Sequence, residues 1–274
     1  MTCSPTCSPP SDRRLPVPEL IEVETYRRQA EAVVGRTITD APVLDPLGLR
    51  GADPDVVRAE LVGHRIEGAE RIGKLLLLPT DGPVLGLRFG MTGRLLVDGG
   101  ATIDGLLYGG QGDDPAWDRY VLTFSDGTDL RIRDPRRLGG LQLDPDTSRL
   151  GPEASTVTAA QLRTALAGSR TAIKARLLDQ ARLAGLGNLL VDETLWRAGI
   201  DPARPCDEIA DDEVPLLAEA IRTTVAELMQ RGGSHTGDLQ PARVPGATCP
   251  RDGAVLDRAT VGGRTTYRGP RHQR

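Results

Sequence analysis

IKARLLDQARLAGLGNLLVDETLWRAGIDPARP, residues 173–205, carries apolar residues at helical spacing on both sides of a glycine turn. The pattern predicts a helix over 172–182 and a second over 188–199. LAGLGN, 183–188, is the tight turn between them, and it ends on Asn188, a good N-cap residue. Another helix is predicted at 158–166 and a long one at 212–231. RGGSHTGD, 231–238, then reads as a glycine-rich loop.

On the amino-terminal side the period changes. TITDAPVL, RIEGAERI, KLLLLPT, PVLGLRF, RLLVDG, DRYVLTFSDG, DLRIRD and LGGLQLD are short, apolar or alternating, and broken by Gly, Asp and Pro. They predict about eight strands between 37 and 145, one helix at 54–62, and a hairpin turn at SDGTD, 125–129. The chain is therefore expected to be α+β, with an amino-terminal β-sandwich flanked by helices and a helical carboxy-terminal half. The tail from about 247 is polar and turn-rich. Gly262 and Gly263 separate two short strand-like pieces there.

Composition bounds the function. No run of 18 apolar residues exists, so nothing is expected to span a membrane. Residues 1–17 lack the apolar stretch of a signal peptide and read as disorder. Two of the four cysteines, Cys3 and Cys7, fall in that start; with Cys206 and Cys249 they make no disulfide framework, and a reducing bacterial cytoplasm is expected. Lys and Arg number 34 together, yet lysine stands only at 74 and 174. In so arginine-rich a chain each lysine is a candidate for work that needs an ammonium. The net charge is −4, but the tail from Arg231 holds eight arginines against three aspartates, and RIRDPRR at 131–137 is a second basic knot. An acidic chain can still present a basic face.

PVPELIEVET, 16–25, reads locally as a helix start: a proline, then acids that complement the helix dipole, in a helix near 19–34 closed by Gly35. Its other meaning depends on the rest of the chain. PELIEVET, GKLLLL (73–78), GMTG (90–93), DPRRLGG (134–140), the 173–205 stretch and VGGRTTY (261–267) together resemble, in order, the formamidopyrimidine-DNA glycosylase / endonuclease VIII family of base-excision repair enzymes. The 173–205 stretch resembles that family's helix–two-turn–helix. The resemblance implies a catalytic sandwich over 18–150, a helix–two-turn–helix DNA-binding region over 151–240 and a β-hairpin finger over 241–274.

It also implies a mechanism. Pro18 would be the amino-terminal nucleophile that attacks C1′ of a damaged nucleotide and forms an iminium. Glu19 would act as general acid or base, Glu22 would orient the terminus, and Lys74 would be a catalytic or phosphate-contacting lysine. An α-amino group has a pKa of about 8 and is partly neutral at pH 7; an internal proline nitrogen is an amide and cannot react. Val17 precedes Pro18, and GTG can serve as a start codon. The true start is therefore expected at position 17, with 1–17 a start-site artefact, or else a leader. Lys174 and Asn188 fall on phosphate sites of the family, the latter at a helix N-terminus. Met91, Arg136 and Leu138 match the three residues that fill the gap left by a flipped-out base. Leu138 stands for the usual phenylalanine, and Arg88–Phe89 for the frequent His–Leu. His235 is either a contact to the flipped base or a solvent-exposed loop histidine. Arg264 falls on the arginine at the hairpin tip that contacts DNA.

The finger departs most. The family's C-x2-C-x16-C-x2-C spacing survives as Cys249, Asp252, Gly269 and His272, so at best three ligands remain and zinc is doubtful. No cofactor is required. The expected activity is a bifunctional DNA glycosylase/AP lyase acting as a monomer on duplex DNA with oxidised or ring-opened bases or abasic sites. The alternative is a protein of the same fold that binds damaged DNA without covalent chemistry. The lesion and the opposite base stay open.

Overall fold

The computed structural model describes residues 17–109 and 114–274; the expectation for the first sixteen residues lies outside them. Helix α1, Leu20–Ala30, opens the described chain and runs on into a 3₁₀ turn to Val33, as the 19–34 reading expects. Eight strands and one helix follow: β1 (Ile38–Asp40), α2 (Pro54–Leu61), β2 (Glu70–Ile72), β3 (Leu75–Pro79), β4 (Val84–Arg88), β5 (Arg94–Val97), β6 (Asp118–Phe124), β7 (Asp129–Arg133) and β8 (Gly140–Leu143). They form two antiparallel four-stranded sheets, ordered β1-β6-β7-β5 and β2-β3-β4-β8. Alternating side chains from both sheets, among them Ile38, Leu76, Leu87, Leu122 and Ile132, fill one apolar core.

Beyond residue 150 lie α3 (Ala159–Leu166), α4 (Ile173–Leu178), α5 (Asn188–Ala198) and α6 (Glu213–Arg231). Helix α4 stops four residues short of the expected 182. The Asp179 carbonyl and carboxylate take the backbone N–H groups of Leu183 and Ala181, which turns the chain. Strands β9 (Asp257–Val261) and β10 (Arg264–Arg268) form a separate hairpin.

Helix α1 belongs to both halves. Val23, Tyr26 and Ala30 pack into the sandwich core, whereas Leu20 and Ile21 pack among the helices with Leu186 and Leu190. A boundary drawn near 150 therefore does not separate two independent cores. The start of α1, with Pro18 and Glu19 before it, is clamped between them.

Candidate active site

The glycine turn exists to press on Glu19. The Glu19 side chain is buried, and its carboxylate accepts the backbone N–H groups of Gly187 (3.0 Å), Leu189 (2.9 Å) and Leu190 (3.1 Å) at the start of α5. A Cβ on Gly187 would sit 2.2 Å from the Glu19 carboxyl carbon, so only glycine admits this approach. Gly187 is the N-cap, and the cap oxygens come from Glu19. The expectation that Asn188 caps the helix is corrected: Asn188 is its first residue, with Nδ2 donating to the Thr265 carbonyl at 3.2 Å and Oδ1 buried without a partner.

Glu22 lies one turn into α1 and is equally buried. It accepts the Glu19 N–H at 3.0 Å and both the N–H and the hydroxyl of Ser234 at 2.8 Å. The glycine-rich loop is thereby tied to the amino-terminal end of α1. Burial, and then the Glu19 charge, push the Glu22 carboxyl up to about 7. Burial raises Glu19 too, while the Lys74 charge and the three N–H groups pull it back. His235 packs its ring over Gly233 in that loop; Nδ1 is buried without a partner, and burial holds the ring below its usual pKa. It is absent from the lining of the cleft described next.

Lys74 follows Gly73 in the β2–β3 turn. Glu153, from the helical half, fixes that turn by accepting the Gly73 N–H at 2.8 Å and the Arg71 guanidinium at 2.6 Å. Pro18, Lys74, Arg50, Arg88, Leu138 and Gln180 line a cleft of about 640 Å³, part of it open to solvent. Burial lowers Lys74, the Arg264 charge adds to this, and Glu19 and Glu22 oppose it. Proline, acids and lysine thus share one electrostatic site, and the tip of the β9–β10 hairpin reaches it. Arg50, which sequence reading left out, and Arg88 form no ion pair among the described residues; burial lowers the proton affinity of Arg88, and the Arg50 charge adds to this. Unpaired arginines mark an anion site, but only the fold brings residue 50 beside residue 88.

The wedge residues are also adjacent. A Cβ on Gly90 would lie 2.6 Å from the Leu138 backbone, so the 90–93 and 135–139 turns touch. Buried Asp134 joins them: its carboxylate takes the Thr92 hydroxyl and the N–H groups of Arg136 (3.2 Å) and Gly139 (2.7 Å). Arg136 and Leu138 are exposed and Met91 half-buried.

Lys174 is a correction. Its ammonium is fully buried and donates to Asp192 Oδ1 (2.6 Å), Thr266 Oγ1 (2.7 Å) and the Thr265 carbonyl (3.2 Å). All three donors are used, so no phosphate oxygen reaches it here. It ties the hairpin to α5. Arg243 pairs with the other oxygen of Asp192. Arg264, by contrast, is exposed at the hairpin tip.

Two family models match: the Formamidopyrimidine-DNA glycosylase N-terminal domain over residues 17–141 and the Formamidopyrimidine-DNA glycosylase H2TH domain over 150–239. A formamidopyrimidine-DNA glycosylase of Geobacillus kaustophilus is 33% identical over 284 residues, spanning 94% of this chain and 100% of the relative. The chain belongs to the formamidopyrimidine-DNA glycosylase family. A Paracoccus denitrificans member is 36% identical, over 92% of this chain and 98% of its own. The structure of Lactococcus lactis Fpg bound non-covalently to DNA containing an AP site superposes with a TM-score of 0.79, at 29% identity, covering 93% of this chain and 99% of that one. The same enzyme in complex with Fapy-dG DNA gives 0.78 at 28% identity, over 93% and 100%.

The zinc finger that the resemblance implies lacks its fourth ligand here. Cys249, Asp252 and His272 do converge, with ligand atoms within 4.8 Å of one another. However, His272 Nδ1 hydrogen-bonds Asp252 Oδ2 directly at 2.7 Å, whereas two ligands of one tetrahedral zinc stand roughly 3.3 Å apart. The Trp196 indole donates to Cys249 Sγ at 3.3 Å. Gly269 offers no ligand, and a Cβ there would lie 2.5 Å from His272 Cε1, so the imidazole fills the space a fourth side chain would need. This donor set does not fit a structural zinc.

Proposed function

We infer that this chain is a bifunctional DNA glycosylase and AP lyase that excises oxidised or ring-opened bases from duplex DNA. The observation that carries the reading is the convergence of Pro18 and Lys74 on one cleft beside Glu19, whose carboxylate is held on the start of α5.

The chemistry follows from those positions. The Pro18 nitrogen, as a secondary amine, bonds to C1′ of an extruded nucleotide and the base departs with a proton. Glu19 delivers a proton to the sugar ring oxygen, the ring opens, and C1′ is left as an iminium. The iminium acidifies C2′–H. Loss of that proton expels the 3′ phosphate, and water then releases the enzyme. Glu22 holds the backbone of Glu19, so the nucleophile and the acid keep one geometry. Lys74, with its proton affinity lowered, is suited to move protons or meet a phosphate. The step needs a free amine at Pro18, so activity belongs to the form that begins there. Arg50, Arg88, Arg136 and Arg264 supply the basic face for duplex DNA.

The test is single-turnover base release on duplexes carrying a ring-opened purine, 8-oxoguanine or an oxidised pyrimidine, using protein that starts at Met-Pro18. Release with strand cleavage, lost in Lys74→Ala, is expected. Tight binding to all of them without release would favour the binding-protein alternative.

A further inference from the structure

The chain has eight aromatic residues, and seven of them are buried or half-buried. Tyr108 is the exception, with 47% of its surface exposed. It stands in the β5–β6 connection, and the Arg136 guanidinium carbon lies 5.9 Å from its ring centroid. That places the ring at the lip formed by the two wedge turns, which Asp134 holds together. Leu138, at that lip, is 43% exposed and can separate two bases, but it has no π face on which a base can stack. Arg136 contributes a planar fork that can read a base edge.

When a nucleotide is extruded, its former partner loses its pair, and a wedge inserted at that step parts it from a neighbour in the stack. A ring beside an arginine answers both losses. We propose that Tyr108 is a specificity-determining residue of the wedge. Its ring is the stacking surface for the base left opposite the extruded nucleotide, and its face holds Arg136 to read that base. This rests on the glycosylase reading above.

The measurement uses the full protein and a duplex in which a tetrahydrofuran abasic analogue faces 2-aminopurine, with an intact duplex as control. Wild type is expected to prefer the abasic duplex and to quench 2-aminopurine. Base–aromatic stacking predicts that Tyr108→Ala weakens abasic-duplex binding by about fivefold or more and loses the quench. Tyr108→Phe keeps both. Leu138→Phe in the Tyr108→Ala background restores both by supplying a ring from the neighbouring turn, a rescue that a merely structural tyrosine would not allow. Because the side chain is exposed, the melting temperature of Tyr108→Ala should match wild type. A Tyr108→Ala protein that binds and quenches as wild type does overturns the proposal while the preference for the abasic duplex stands. Equal losses on the intact duplex also overturn it. No abasic preference in wild type overturns the glycosylase reading as well.

Discussion

Glu22 is the residue at which burial and charge conflict most openly. Its carboxyl sits at about 7 in the folded chain against an ordinary 4.5, chiefly through burial. The folded state therefore holds this proton more tightly than the unfolded state. The stability it contributes is complete below about pH 4.5 and is lost as the pH rises through about 7. The difference amounts to at most about 3 kcal/mol. Glu22→Gln, which mimics the protonated acid, should flatten the fall in melting temperature between pH 5 and pH 8, though not abolish it, because Glu19 is raised as well. An unchanged slope would show that Glu22 ionises in the folded chain near its ordinary value. PELIEVET reads by itself as a helix start, and only the motifs that follow it in order give it a further meaning. The shifts of Glu19 and Glu22 could not be read from it, because the packing that buries and raises both carboxyls, and the Ser234 and α5 N–H groups that pull them back, come from far along the chain.

At the scale of elements, the glycine turn and α5 were legible in LAGLGN and in the apolar period after it. The cap was not. Asn188 has the right chemistry for the role, but a carboxylate 168 or more residues away arrives first and moves the N-cap to Gly187. Lys174 is similar. Lysine scarcity marked it as special, and VDE at 191–193 set two acids inside an apolar run, but only packing reveals that Lys174 and Asp192 meet under the hairpin. Removing one partner of a buried pair costs about 3 kcal/mol or more. Lys174→Met should therefore lower the melting temperature and loosen β9–β10. Arg264→Ala should leave the melting temperature alone, weaken DNA binding, and reduce the salt slope by about one. If the Lys174→Met hairpin stays ordered, another contact anchors it. The finger gives a separate forecast: with His272 bonded to Asp252, Trp196 on Cys249 and Gln273 donating to the Ile200 carbonyl at 2.9 Å, a chelator should change neither melting temperature nor DNA affinity. A stoichiometric zinc in the purified protein, lost together with DNA binding, would contradict this.

Across the whole molecule, the period-2 strands and the later helical spacing predicted both halves, and the described chain has eight strands before residue 145 and four helices after it. What patterning could not convey is that α1 contributes to both cores, which places Pro18 at their seam. The cleft assembles residues 18, 50, 74, 88 and 138 from separate connections, and distance in sequence hides that. Among the described residues, no helix is long and apolar enough to cross a membrane. In the proposed reaction Pro18 is the nucleophile of this cleft. Borohydride trapping on a duplex with an abasic site decides this, comparing protein that starts at Met-Pro18, the same protein with Pro18→Gly, and the full 274-residue chain. A covalent band is predicted from the Met-Pro18 form, much reduced in Pro18→Gly and missing from any form in which Val17 remains attached. Equal bands from all three would place the nucleophile elsewhere, and no band from any, with tight binding retained, would make this a protein that recognises damaged DNA without cutting it.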